Sequence, residues 1–205
     1  PGGLLEANML ITGIKSKPVY APLQPDLRGR YHLMLALGVG AAPLLRIVGE
    51  TKGNSAALAN TRILLVEGDA APFRAAGVSK VETFPAKPAL LERFRGVLGE
   101  SLMGTRLYVA GPESFIGLAM KIALDFNLNK DEIRAEECGT LARRVYCIHC
   151  RATTEDVRTN IVTCSGCKRW LLIRDHYSRR LAAYMGVMAD AEVPGELPEI
   201  KEVFL

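Results

Sequence analysis

The chain has 205 residues, 49% hydrophobic and 23% charged, which suits one large domain or a medium domain with a small one and excludes a disordered composition. Its longest apolar runs, such as HLMLALGVGAAPLL, are too short for a membrane span and are broken by glycine and proline. No signal peptide is visible, and five cysteines with a metal-like spacing point to a reducing cytoplasm rather than a disulfide framework. The net charge of +4 is mild but uneven. Residues 140–180 carry nine Lys/Arg against three acids, and residues 181–205 carry five acids against Lys201 alone. A basic segment of this kind can meet an acidic partner subunit, a nucleic acid, or only water.

Residues 1–8 precede Met9 and carry no weight, and the proline-rich and basic stretch that follows makes residues 1–30 an N-terminal arm. From residue 31 strand and helix alternate. YHLMLALGVG reads as a buried strand running into a glycine turn, and AAPLLRIVGE starts a helix with Pro43 in its first turn. TRILLVEG and SKVETFPA give the second and third strands, and KPALLERFRGVLGE the next helix. TRLYVAGP is the fourth strand, ESFIGLAMKIALDFNL a helix, and EIRAEECG the fifth strand. This order predicts an α/β domain over residues 31–139, a parallel five-stranded sheet flanked by helices. After residue 140 the alternation stops. RRVYCIHC and NIVTCSGCKRWLLIRDHYS predict short strands around cysteine turns, and SRRLAAYMGVM a short helix, in a small β domain over 140–190. Residues 191–205, with Pro194 and Pro198, read as an extended acidic tail.

Cys147, Cys150, Cys164 and Cys167 form C-x2-C-x13-C-x2-C among β-type residues. Each Cys-x-x-Cys turn aims two thiolates at one ion, and two such turns close a tetrahedron, which is the arrangement of a zinc ribbon. Rubredoxin-type iron takes the same four ligands, but its knuckles carry glycine after the second cysteine. Here Arg151 and Lys168 stand there, which favours structural zinc over electron transfer. His149 is expected to be an exposed non-ligand, and Cys138 a core or strand-end thiol. Without metal, a segment of about 40 residues could hardly build its own core.

Gly38, Gly40 and Ala41 follow the first strand, and Gly111 and Pro112 the fourth, at strand ends where such sheets bind ligands. Either turn alone fits any α/β domain; the pair is more specific. With GVGAAP and AGP at these places, residues 31–138 resemble the nucleotide-binding half of ferredoxin–NADP reductase-like proteins. The resemblance implies that these five residues approach a pyrophosphate. Ala110 stands where that family has a cysteine beside the nicotinamide, which puts hydride transfer in doubt, and Glu67 and Asp69 would repel a 2′-phosphate. Only some thirty residues precede the first strand, so the chain is not expected to house a flavin on a barrel of its own.

A reductase-like domain joined to CIHC…CSGCKRWLLIRDHYSRRLAAYMGVM resembles the small-subunit family of bacterial dimethylamine monooxygenase over nearly the whole chain. That resemblance implies a multi-subunit enzyme using haem, flavin, an iron–sulfur cluster, NADPH and O2 to convert dimethylamine to methylamine and formaldehyde. This chain would be an accessory subunit that is not itself catalytic, carrying zinc and a residual nucleotide pocket, with the other cofactors on partner subunits. His32 and His176 are expected to be structural or exposed rather than haem ligands. Two other readings stay open: a rubredoxin-like iron electron carrier, and a nucleic-acid-binding zinc ribbon, the latter weakened by a single tryptophan, Trp170. The segment DHYSRRLAAYMGVM, with Arg179, Arg180, Tyr177, Tyr184, Met185 and Met188, is expected either to contact a partner or to pack on the ribbon. Neither a membrane nor a nucleic acid is an expected partner.

Overall fold

The structure, a computed structural model, describes residues 16–205, so residues 1–8 and the arm before residue 16 lie outside the described residues. The chain divides into two compact units, residues 20–139 and residues 16–19 with 140–205.

In the first unit the strands are β1 (Tyr31–Leu37), β2 (Thr61–Val66), β3 (Lys80–Phe84), β4 (Thr105–Gly111) and β5 (Ile133–Glu137). All neighbours pair in parallel, in the order β3-β2-β1-β4-β5. The helices α1 (Ala41–Glu50), α4 (Lys87–Gly99) and α5 (Glu113–Asp125) fall where the apolar spacing places them. The short helices α2 (Ser55–Ala59) and α3 (Ala71–Ala75) have no such spacing to betray them. Asn54 caps α2 by accepting from the Ala57 amide, and Asp69 accepts from the Ala71 amide at the start of α3.

The continuous run in β1 is explained by cover on both faces. Leu33 and Leu35 pack with Leu90, Phe94, Phe115 and Ile116 from α4 and α5. Met34 and Ala36 point the other way, to Leu44, Ile47 and Val48 of α1. The stretch expected as an arm contributes to this second face. Leu23 is buried there, the Asp26 amide donates to the Tyr108 hydroxyl at 2.9 Å, and the Asp26 carboxylate meets Arg28, Arg106 and Arg134 at 2.8–3.3 Å.

The second unit holds β6 (Arg143–Cys147), β7 (Thr153–Val157), β8 (Ile161–Thr163), β9 (Trp170–Ser178) and β10 (Ala183–Met188), ordered β7-β6-β10-β9-β8. The helix expected over SRRLAAYMGVM is not formed. Residues 179–182 turn, Ala182 takes φ 50°, and β10 pairs antiparallel with β9 and parallel with β6. Sheet neighbours on both sides outweigh the local helical tendency of Leu181-Ala182-Ala183. Tyr184 is therefore buried, edge-on to Tyr177 with ring centroids 5.1 Å apart, so the aromatic part of this segment packs inside the unit. The acidic tail forms no named strand among the described residues, yet it is anchored. Phe204 lies 3.8 Å from the guanidinium of buried Arg143, whose other face meets Tyr184 at 3.9 Å. Arg143 also pairs with Asp175 at 2.9 Å.

Candidate metal centre and glycine crevice

Each cysteine pair sits in a turn built the same way. In the first, the Cys147 amide donates to the Ala152 carbonyl and the Arg151 amide to the Cys147 carbonyl, both at 2.9 Å. In the second, Cys164 donates to Arg169 at 2.9 Å and Lys168 to Cys164 at 3.2 Å. Arg151 and Lys168 close these turns with φ of 66° and 62°. Left-handed backbone costs a residue with a side chain about 1–2 kcal/mol, which is why glycine is the usual occupant. The departure from glycine noted in the sequence thus leaves the turn unchanged and strains two residues.

The turns bring all four sulfurs within 4.8 Å of one another, with Cys147 and Cys167 at 3.8 Å and Cys150 and Cys164 at 3.5 Å. A tetrahedral ion with bonds of about 2.3 Å sets its sulfur ligands about 3.8 Å apart, so the spacing fits a tetrathiolate centre. Gly166 allows the turns to approach this closely. A Cβ there would stand 2.8 Å from the Ala152 Cβ and 3.0 Å from the Cys150 Sγ. The sequence shows a glycine between two cysteines; only the approach of the other turn explains it.

Burial pushes the Cys147 thiol up to about 11, although the Cys150 and His149 amides favour its thiolate. The Arg169 amide holds Cys167 down to about 6, helped by the Arg169 side chain, and the Ala152 amide lowers Cys150. These donors are what a thiolate ligand needs behind it, and a bound cation would complete deprotonation of the set. His149 is exposed and outside the cluster. Cys138 is half-buried against the second core cluster, its amide donating to the Gly111 carbonyl. His32 lies buried in β1 with Nδ1 3.3 Å from the Tyr108 hydroxyl, and His176 is exposed on β9.

The five residues of the glycine turns meet in the first unit. β1 and β4 are adjacent, with Ala36 opposite Ala110, at the place where the strand order reverses. Gly38, Val39 and Gly40 form a 3-10 turn leading into Ala41 of α1, and Gly111 and Pro112 lead into α5. A Cβ on Gly40 would lie 2.1 Å from the Ala110 carbonyl oxygen, so glycine is required for the first turn to rest on the end of β4. Glu67, at φ 55°, places a carboxylate oxygen 3.8 Å from where a Gly38 Cβ would be. Glu113 is buried in the first turn of α5. The Glu67 carboxylate beside Gly38 is unfavourable to a second negative charge there.

Comparison with known proteins assigns the chain. Residues 12–133 match the family described as dimethylamine monooxygenase subunit DmmA-like, N-terminal domain, and residues 144–187 match its C-terminal domain. The chain belongs to the dimethylamine monooxygenase subunit DmmA-like family. It is 33% identical over 111 residues to the heme-dependent oxidative N-demethylase delta subunit of Ectopseudomonas mendocina (strain ymp). That match spans 54% of this chain and 63% of the relative's length. Among solved structures, the ferredoxin reductase in carbazole 1,9a-dioxygenase (FAD apo form) is similar at 16% identity, with a TM-score of 0.44 over 56% of this chain and 34% of that one. The flavohem-like FAD/NAD binding domain of nitric oxide dioxygenase from Vibrio cholerae O1 biovar El Tor is similar at 16% identity, with a TM-score of 0.42 over 60% of this chain and 56% of that one. Among the described residues no helix is long and apolar enough to cross a membrane.

Proposed function

We propose that this chain is an accessory, interface-forming subunit of an oxidative N-demethylase complex, with Cys147, Cys150, Cys164 and Cys167 holding a structural zinc ion. The observation that carries the reading is a family match running through both units, over residues 12–133 and 144–187. In its finer form, the complex consumes dimethylamine, O2, NADPH and a proton and releases methylamine, formaldehyde, water and NADP+. Haem, flavin, the iron–sulfur cluster and the NADPH site belong to partner subunits, and the complex works in the cytoplasm.

The geometry supports a non-catalytic part. Cys147, Cys150, Cys164 and Cys167 would fill all four positions of a tetrahedral ion, leaving none for a substrate, so such a centre would serve folding rather than turnover. When bound, zinc would supply the cross-link between two turns that this small unit needs in order to stay folded. Gly38, Gly40, Ala41, Gly111 and Pro112 lie at the strand ends where such sheets bind ligands, and we assign to them at most a residual pocket. The Glu67 carboxylate beside Gly38 supports placing NADPH on another subunit.

Omission tests the reading. The complex reconstituted without this chain should lose assembly and amine-dependent NADPH oxidation, and adding the zinc-loaded chain should restore both. The chain alone should transfer no electrons from NADPH to an artificial acceptor. Full turnover without the chain, or electron transfer by the chain alone, would contradict it.

A further inference from the structure

We propose that the tip of the second unit, where the two cysteine turns meet, is the surface that docks an acidic patch of a partner subunit. The proposal rests on the accessory-subunit reading and adds to it the place and chemistry of the contact. Five residues form the surface: Ile148, Arg151, Lys168, Arg169 and Trp170. Each lies within three positions of a cysteine whose sulfur is within 4.8 Å of the other three, so the four-sulfur cluster holds them at one end of the sheet.

Two features mark this tip. Ile148 is 47% exposed and Trp170, the single tryptophan, 40% exposed, although each adjoins a buried position of the same unit. Desolvated tryptophan within a cationic surround is the usual anchor of a protein interface. The second feature is the pair of strained cations. Both turns need a left-handed residue at the same place, and both carry a long cation there instead of the glycine that would fit without strain. Lys168 Nζ donates to the Ser165 carbonyl of its own turn at 3.0 Å, which fixes that cation at the tip. Backbone strain retained at two equivalent positions points to a use for the side chains.

Charge selects the occupant. No Asp or Glu occurs from residue 145 to 154 or from 158 to 174, and neither Arg151 nor Lys168 has an acidic partner among the described residues. The tip is therefore complementary to carboxylates. A nucleic acid could stack on Trp170 but offers exposed Ile148 no counterpart, whereas a protein surface can bury both.

The test uses the tagged full chain purified from its own host together with its bound N-demethylase subunits. R151G combined with K168G keeps the turns and removes the cations; W170A removes the anchor. Each should weaken partner retention about tenfold in about 0.15 M salt, with zinc content unchanged. A photo-crosslinker in place of Ile148 should label an acidic stretch of another subunit. Retention equal to wild type in both variants, or labelling of nucleic acid or of a second copy of this chain, would overturn the docking surface and leave the accessory-subunit reading standing. Isolation of the wild-type chain without any N-demethylase subunit would overturn both.

Discussion

At the scale of single residues, the cysteine turns show how little of a site its ligands specify. The sequence names four candidate ligands from their spacing, and their sulfurs do lie within 4.8 Å of one another. It also shows that glycine is missing at positions 151 and 168, but not that the backbone there is left-handed all the same. Two terms oppose when glycine is restored: relief of about 1–2 kcal/mol of strain per site, and about 0.5–1 kcal/mol of extra backbone entropy lost on folding. Relief is the larger. R151G should raise the stability of the zinc-loaded chain by about 0.5–1 kcal/mol, seen as a higher denaturation midpoint, and K168G by less, because it also removes the hydrogen bond from Lys168 Nζ to the Ser165 carbonyl. A lower midpoint would mean that the two side chains support the fold.

At the scale of elements, the parallel strands and long helices were legible because burial on both faces writes continuous apolar runs, and helices write a spacing of three and four. What local pattern does not carry is cross-chain pairing. SRRLAAYMGVM reads as helical until β6 and β9 claim it as β10, and residues 20–30 read as an arm until Leu23 and Asp26 are seen on the second face of the sheet. Asp26 also makes that segment sensitive to acid. The Arg28 guanidinium and amide, with Arg106 behind them, hold its carboxyl well below the usual range against the opposing effect of burial. Burial also pushes His32 below its ordinary value.

Both groups therefore bind protons more tightly in the unfolded chain, so each contributes stability that is full above its unfolded pKa and lost as pH falls toward its folded one. Stability should decline first below about pH 6.5 through His32, then more steeply below about pH 4 through Asp26. D26A should flatten the second decline and lower stability at neutral pH by about 2–3 kcal/mol. Urea titrations across this range measure both effects; stability that rises as pH falls would refute the assignment.

At the scale of the whole molecule, two units with different means of support lie on one chain. The first is held by two apolar layers around a parallel sheet and needs no ion. The second has a small cluster around Val145, Leu171, Ile173 and Tyr184, with Arg143 stacked between Tyr184 and Phe204, and a bound ion would tie its two cysteine turns together. The glycine turns were legible as a pair, with Glu67 as an acidic neighbour; that Gly40 must rest against the Ala110 carbonyl was not, because it depends on β1 and β4 lying side by side. The ion is therefore the deciding component. Elemental analysis and an absorption spectrum of the purified full chain test it most directly: one zinc per chain, no iron and no visible colour are predicted. Stoichiometric iron with a red chromophore, or a folded second unit free of any metal, would contradict it.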